Sequence, residues 1–192
     1  MNFKKTIDSI KKSAKNAQLI IVTKHQTIDA IKKVYKLGEK DFGENKVQEL
    51  ISKKNNLPKD INWHMIGHLQ RNKVKLIAPF IYMIQSVDSI KLLETINNYA
   101  KKNGRKIKCL IQIKISSEKS KFGFEKKDAL ELLKSNYKKE YKHIDICGVM
   151  GMATLTNNSK KITEEFKIIQ NIFHNIKDES PILSIGMSRD YE

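Results

Sequence analysis

Short apolar runs alternate with longer amphipathic runs along this sequence, and the alternation constrains the fold more than any other feature. The short runs predict seven strands, at 19–23, 40–43, 61–66, 82–87, 108–115, 144–150 and 182–186. The amphipathic runs predict helices at 1–15, 28–37, 46–53, 72–78, 89–103, 126–135 and 162–176. Thr27 and Asp88-Ser89 are predicted to cap two of these helices, and Gly38 and Gly104 to end them. Because such alternation produces right-handed βαβ units, the sequence predicts an α/β fold around a parallel sheet.

The turn after the first predicted strand distinguishes two kinds of parallel sheet. An open nucleotide-binding sheet usually has a glycine-rich phosphate turn there, but this chain has Lys24-His25-Gln26-Thr27. Polar and small residues follow nearly every predicted strand, which is typical of a (β/α)8 TIM barrel with its site at the carboxyl ends of the strands. Since only seven strands are predicted, we expect one barrel domain over residues 1–192. We expect that domain to lack its eighth strand, to be incomplete at its C-terminal end and to have an open edge beside the first strand.

A formal net charge of +16 raises the question of nucleic-acid binding. The basic residues are almost all lysines, dispersed in pairs between apolar positions, and the arginines are Arg71, Arg105 and Arg189. Recognition of bases and phosphates favours arginine with neighbouring aromatic residues, and the sequence shows neither pattern. The charge therefore predicts solvated helix surfaces, and specific nucleic-acid binding is the less favoured interpretation.

Cellular location and redox state are predicted from patterns that the sequence lacks. No apolar stretch approaches the roughly 20 residues of a membrane-spanning helix, and the lysine-rich start has no secretory signal pattern. We therefore expect a cytoplasmic protein without a membrane partner. Cys109 and Cys147 lie far apart in apolar runs, which predicts buried, reduced thiols rather than a disulfide or a metal site.

Lys24 ends the first predicted strand, and two interpretations of it remain open. A lysine at a strand end is commonly a solvated charge on a long stem. At the mouth of a barrel, in partly apolar surroundings, its amine can lose its proton and form a Schiff base with an aldehyde. The second interpretation predicts that Lys24 is partly buried, because burial lowers the pKa of an amine.

Polar residues also follow the second and third predicted strands, and each has a structural alternative. Glu44 and Asn45 could cap the helix that begins at residue 46. His64 and His68 have a spacing that suits a metal on a helix, but Gly67 and the apolar run place His64 on a strand. Hydrogen bonding at the barrel mouth is therefore favoured over a zinc site.

Two further candidates lie near the end of the sequence. Met152 belongs to a run of glycine and methionine after the sixth strand that is typical of packing and close backbone approach. Ser188 follows the seventh strand and, with Asp190, predicts the start of a helix. The free N–H groups of a helix start attract phosphate, particularly after strands 7 and 8 of a barrel. Ser188 as a simple helix cap explains the local sequence equally well.

Taken together, these motifs closely resemble the pyridoxal phosphate homeostasis protein family, whose fold resembles the barrel domain of alanine racemase. The residues that carry the resemblance are Thr23-Lys24, Phe42-Gly43-Glu44-Asn45, Val47-Gln48-Glu49, Trp63-His64, Ile66-Gly67-His68-Leu69-Gln70, Asn72-Lys73, Ser86-Val87-Asp88-Ser89, residues 148–156, Ser184-Ile185-Gly186-Met187-Ser188 and Asp190. The resemblance extends from the first helix to Glu192.

The resemblance implies that Lys24 forms an internal aldimine with pyridoxal 5′-phosphate (PLP). It also implies that Ser188 helps to hold the phosphate and that Asn45, His64 and Met152 lie around the ring. Family members continue past the position of Glu192 with a helix, an eighth strand whose arginine faces the pyridine nitrogen, and a Gly-Thr turn for the phosphate.

The function implied by the resemblance is that of a carrier that buffers PLP and passes it on, and not that of an enzyme. A racemase of this fold resembles a two-domain enzyme whose second domain supplies the opposite base. A PLP-dependent amino-acid racemase-like enzyme and a basic nucleic-acid-binding protein remain the alternatives. We expect a monomer whose partners are PLP and PLP-dependent apoenzymes.

Overall fold

Strands and helices alternate through the chain. The computed structural model describes residues 2–15, 17–116, 118, 122–174, 176 and 181–190. The strands are β1 (Ile21–Val22), β2 (Asp41–Glu44), β3 (Asn62–Met65), β4 (Met83–Val87), β5 (Ile107–Ile113), β6 (Ile144–Gly151) and β7 (Ile182–Ser184). The helices are α1 (Phe3–Ser13), α2 (Ile28–Tyr35), α3 (Val47–Asn55), α4 (Val74–Ile77), α5 (Ile90–Lys102), α6 (Lys126–Lys134), α7 (Tyr137–Glu140) and α8 (Ser159–Phe173). A short 3-10 helix at Arg71–Lys73 precedes α4.

These seven strands run parallel in one sheet, and their order in space is their order in the sequence. At least one helix lies on every connection between successive strands. Sequential order is the topology of a (β/α) barrel, whereas a doubly wound sheet reverses its order at a switch point. The predicted α/β fold of the TIM-barrel type is confirmed.

The sheet is strongly curved, and one hydrogen bond demonstrates it. β4 and β7 are separated by two strands, which in a flat sheet would place them about 14 Å apart. Ser184 Oγ in β7 nevertheless donates to Gln85 Oε1 in β4 at 2.7 Å. An extra residue in β6, Cys147, forms a bulge against β5 that bends this side of the sheet further. The side chains of Ser184 and Gln85 therefore lie on the concave face.

Two strands are edges in the described part of the chain, because β1 pairs with β2 alone and β7 with β6 alone. Val22 and Ile182, at these edges, are 44% and 37% exposed. The described strands thus form an open barrel. This arrangement confirms the expectation that the place beside the first strand lacks its neighbour.

The core has two layers, one on each face of the sheet. The larger layer packs the convex face against the helices, and its fully buried members include Phe42, Leu50, Met65, Leu93 and Ile96. The smaller layer contains Met83, Leu110 and Met150. Because strand side chains alternate between faces, Leu110 points into the barrel while its neighbours in β5 face the helices.

Capping residues explain where several helices begin and end. Thr27, Ser89 and Asn158 accept a backbone N–H at the starts of α2, α5 and α8. Gly38 and Gly104 follow α2 and α5 with φ angles of 94° and 61°, in the region that favours glycine. The predicted caps at Thr27 and Ser89 and the predicted glycine stops are confirmed.

Ser188, where a helix is predicted to start, is followed by only two described residues, so that helix stays a prediction. Residues 188–190 form a turn. Asp190 uses both its carboxylate and its N–H on Met187, accepting the Met187 N–H and donating to the Met187 carbonyl, so the turn closes on itself. Residues 191 and 192, where the predicted helix would continue, lie outside the described residues.

Candidate functional site

Lys24 lies in a turn rather than at the end of a strand. β1 ends at Val22, and Lys24 and His25 form a turn that closes with a hydrogen bond of 2.9 Å from the Gln26 N–H to the Thr23 carbonyl. Lys24 is exposed, so its predicted partial burial is wrong. The physical reason is that β1 is an edge strand, where packed neighbours lie on one flank only.

A buried ion pair lies beneath this turn, on the helix side of the sheet. Lys53 in α3 and Glu44 in β2 have side chains that are 8% and 0% exposed, and Lys53 Nζ lies 2.5 Å from Glu44 Oε1. Glu49 Oε2 lies 3.1 Å from the same ammonium group, and Thr23 Oγ1 donates to Glu44 Oε1 at 2.6 Å. Glu44 therefore belongs to this cluster and does not cap α3, whose N-cap position is occupied by Lys46 rather than Asn45.

A chain of hydrogen bonds crosses the concave face of the sheet. Asp41 Oδ1 accepts from Asn62 Nδ2 at 3.1 Å and lies 3.1 Å from His64 Nε2. His64 Nδ1 lies 2.9 Å from Gln85 Nε2. Since Ser184 donates to the other end of the Gln85 amide, the chain connects β2, β3, β4 and β7.

The neighbours of His64 determine its protonation. Gln85 Nε2 can only donate, so His64 Nδ1 accepts and His64 Nε2 donates its proton to the Asp41 carboxylate. His64 is 2% exposed, and burial lowers its pKa below the ordinary value although Asp41 acts in the opposite direction. Burial also acts to raise the pKa of Asp41, but hydrogen bonds from His64, Gln18 and Asn62 outweigh it and leave that pKa lowered. His64 is therefore neutral at pH 7, with both ring nitrogens engaged.

Another lysine, Lys108, lies on the concave face near the amino end of β5. Its Nζ donates to Tyr82 Oη at 3.2 Å. This hydrogen bond is the main reason that the pKa of Lys108 lies above the ordinary value of lysine. The Tyr82 ring lies 5.3 Å from the His64 ring, centroid to centroid. Lys108 is thus engaged at the end of the barrel opposite to Lys24.

One wall of the mouth is formed where β2 and β3 end. The backbone of Gly67 passes so close to Asn45 that a Cβ at residue 67 would clash with the Asn45 carbonyl oxygen. Glycine is therefore required there. A cleft of about 180 Å³ opens beside this contact, with Asn45, His68 and Lys73 among its lining residues.

His68 connects this wall to the loop after β5. Its ring stacks on Phe122 with a centroid distance of 3.6 Å and an interplanar angle of 12°, and its Nδ1 lies 2.8 Å from Asp88 Oδ2. The Phe122 carbonyl accepts from Gln112 Nε2 at 2.9 Å, which ties the loop to β5. Both His64 and His68 thus make hydrogen bonds, the role that the sequence favoured. Among the described residues, no group of three or more His, Cys, Asp or Glu side chains is suited to hold a metal.

The five residues predicted for the cofactor site are spread over the mouth and the interior. Lys24, Asn45, Met152 and Ser188 follow β1, β2, β6 and β7, so the parallel sheet brings them to the same end of the barrel. Met152 packs against the small interior layer. Lys24 and Ser188 are exposed, and His64 lies within β3.

Sequence reasoning missed the residues that support this region, notably Asp41, Lys53, Gln85 and Ser184. A signal for Gln85 existed, because an amide within an apolar strand needs a hydrogen-bond partner when it is buried. Lys53 offers no such signal, since lysines end several amphipathic helices of this chain.

The parallel sheet and the polar groups at its carboxyl ends define a protein of the barrel class whose candidate ligand site lies at the mouth. The family described as alanine racemase, N-terminal domain, matches residues 1–192. The chain is 34% identical over 177 residues to the pyridoxal phosphate homeostasis protein of Helicobacter pylori, and the match covers 91% of this chain and 79% of that protein. The chain therefore belongs to the alanine racemase N-terminal domain family and, within it, to the pyridoxal phosphate homeostasis proteins.

Two solved structures of PipY from Synechococcus elongatus are similar to this chain. The structure without PLP has a TM-score of 0.79 at 29% identity and covers 98% of this chain and 88% of PipY. The structure with PLP bound has a TM-score of 0.76 at 28% identity and covers 97% of this chain and 90% of PipY. In the described part of the present chain, no helix is both long and apolar enough to span a membrane.

Proposed function

We propose that this protein binds PLP at the barrel mouth, holds it covalently on Lys24 and acts as a carrier of the cofactor rather than as an enzyme. The observation that carries the proposal is the position of Lys24, directly after β1 at the mouth of a chain that belongs to the pyridoxal phosphate homeostasis proteins. PipY, a relative with PLP bound, supports the choice of cofactor.

The side chains at the mouth fit an aldehyde that carries a phosphate. When bound, PLP supplies an aldehyde that condenses with a primary amine and releases one water. Lys24 supplies such an amine, and its exposure leaves it accessible. We place Ser188 near the phosphate, and Asn45, His64 and Met152 around the ring.

The carrier role is supported by the state of the interior histidine. An enzyme that moves protons on an amino acid needs a free acid or base opposite the lysine. His64 does not fit that need, because it is buried and both of its ring nitrogens are used by Asp41 and Gln85. Its neutral ring instead holds the interior strands together.

Absorbance and mass spectrometry test the proposal directly. The purified protein incubated with PLP should show a band that borohydride removes, and the reduced adduct should map to the peptide that contains Lys24. Lys24→Ala should fold, because an exposed side chain adds little to the core, but it should lose the band. Lys32→Ala, which removes an exposed lysine of α2, is the matched control and should keep it.

Several outcomes would contradict the proposal. An adduct that persists in Lys24→Ala, for example on Lys114 after β5, would show that another amine holds PLP. Rapid conversion of an L-amino acid to its D form would favour the racemase-like alternative. Tight nucleic-acid binding with a steep salt dependence would favour the alternative of a basic nucleic-acid-binding protein.

A further inference from the structure

A cluster of three charged side chains lies beneath the Lys24 turn. It consists of Glu44, Glu49 and Lys53, which we name the turn clamp. Glu44 is fully buried, and no described residue donates a hydrogen bond to its Oε2. Burying two opposite charges costs about as much free energy as their attraction returns, and apolar residues of similar volume often stabilise a core equally well. Stability alone therefore does not explain the turn clamp.

The turn clamp holds both peptide groups that flank Lys24. Lys53 Nζ donates to the Thr23 carbonyl at 2.7 Å, in the peptide group that precedes Lys24. The His25 N–H, in the peptide group that follows Lys24, donates to Glu49 Oε2 at 3.1 Å. The backbone of Lys24 is therefore held on both sides while its side chain stays exposed.

The conformation of His25 gives a physical reason for such a device. Its φ is 61°, in the left-handed region that residues other than glycine rarely adopt. A strained turn persists only where its surroundings hold it. The pKa of Glu49 lies below its ordinary value, first because the His25 N–H donates to it and then because Lys53 does. The carboxylate is thus ionised at pH 7 and able to accept the His25 N–H.

From this geometry we propose that Lys53, acting with Glu44 and Glu49, is a positioning residue that fixes the turn and directs the Lys24 amine toward a bound aldehyde. The inference rests on the proposed function. It adds to that function a buried lysine on the opposite face of the sheet from the barrel interior.

Three variants separate positioning from general stability. Lys53→Met combined with Glu44→Gln removes both charges of the buried pair together, so neither is left as an uncompensated ion. Glu49→Gln removes a partly exposed charge and keeps the clamp testable if the double variant does not fold. Arg105→Met is the matched control, because the Arg105 guanidinium also holds backbone carbonyls, those of Ala78 and Ile81 at 2.7 and 2.9 Å, but before β4 at the far end of the barrel.

Three measurements on each variant report three different properties. The rate constant for covalent attachment of PLP, followed by absorbance, reports the direction of the Lys24 amine. The Kd of pyridoxine 5′-phosphate, which has an alcohol in place of the aldehyde, reports binding of the ring and phosphate alone. Exchange of the His25 amide hydrogen, followed by NMR without ligand, reports whether the turn is held.

A positioning role predicts a specific combination of results. In the clamp variants, attachment should slow by about tenfold or more, while the Kd of pyridoxine 5′-phosphate should stay within about twofold. Exchange of the His25 amide should become faster in the same variants, and Arg105→Met should change neither attachment nor exchange.

The inference is overturned if attachment is unchanged in the folded clamp variants, or if it slows equally in Arg105→Met. A parallel loss of pyridoxine 5′-phosphate binding would show a general structural role and would also overturn it. Failure of the proposed function looks different, because the unmodified protein would then form no adduct at Lys24; the inference would fall with it.

Discussion

The protonation of a single side chain, His64, determines how the interior of the barrel is held together. The neutral ring donates to Asp41 and accepts from Gln85, and the Gln85 amide accepts from Ser184. A protonated ring has no acceptor nitrogen, so it would lose its bond from Gln85 and would carry a buried charge. The described hydrogen bond from Gln85 therefore requires a neutral His64.

We expect the free energy of unfolding to fall as the pH decreases below about 6.5, the ordinary pKa of histidine. Burial lowers the pKa of folded His64, so the unfolded chain binds a proton at pH values where the folded chain does not, and acid favours unfolding. The limiting slope for one such group is about 1.4 kcal/mol per pH unit.

Urea unfolding of the unmodified protein and of His64→Gln, at several pH values from about 7 to about 5, checks this expectation. The stability advantage of the unmodified protein should shrink as the pH falls, because the variant lacks this titration. A difference that stays constant over the range would show that His64 does not titrate as described.

Among the elements, α5 shows how a local cap sets the position of a packed helix. Ser89 Oγ accepts the Leu92 N–H at 3.3 Å at the start of the helix. The helix then buries Leu92, Leu93 and Ile96 against the sheet. The cap therefore fixes where the helix begins, and packing of the buried face supplies most of its stability.

Ser89→Ala should lower the free energy of unfolding by about 1 kcal/mol, because it removes the side-chain oxygen that caps the start of the helix at the Leu92 N–H. Thr95→Ala is the control on the same helix, since the Thr95 hydroxyl is exposed and only donates to the Lys91 carbonyl one turn earlier. That change should stay within about 0.5 kcal/mol. Chemical unfolding measures both, and equal losses would argue against a capping role for Ser89.

At the level of the whole molecule, the middle strands of the sheet are the best protected from solvent and from local unfolding. All but one residue of β5 is buried, and β5 pairs on both sides with β4 and β6. At the edges, β1 and β7 are short and pair on one side only in the described part of the chain. The mouth turn with Lys24 thus follows one of the least protected strands.

Amide hydrogen exchange should reflect this gradient. The N–H groups of β4 and β5 should exchange only by global unfolding, while those of the edge strands β1 and β7 should exchange by local opening and therefore faster. Mass spectrometry of peptides after timed exchange measures both groups in one experiment. If β1 and β7 are as protected as β5, both edges are covered in solution, and the open barrel does not describe the protein there.

Local sequence patterns were sufficient to predict the architecture. The period of the apolar residues distinguished strands from helices, and the order of the elements predicted a parallel sheet of the barrel type with its candidate site at the carboxyl ends. Thr27, Ser89, Gly38 and Gly104 acted through their nearest neighbours in the chain, which is why their roles could be predicted. A pattern of this kind reports which face of an element is buried, and it carries no information about the partner across the core.

The burial and the hydrogen bonding of the site residues depend on partners that are distant in the sequence. Ser184 and Gln85 meet across the barrel although they are 99 positions apart, and Lys53 reaches the Thr23 carbonyl over 30 positions. Lys24 was expected to be partly buried, yet its exposure depends on whether a neighbouring strand packs beside β1. Such contacts exist only once the sheet has curved and its strands have met, because burial and hydrogen bonding are properties of three-dimensional neighbours and not of neighbours along the chain.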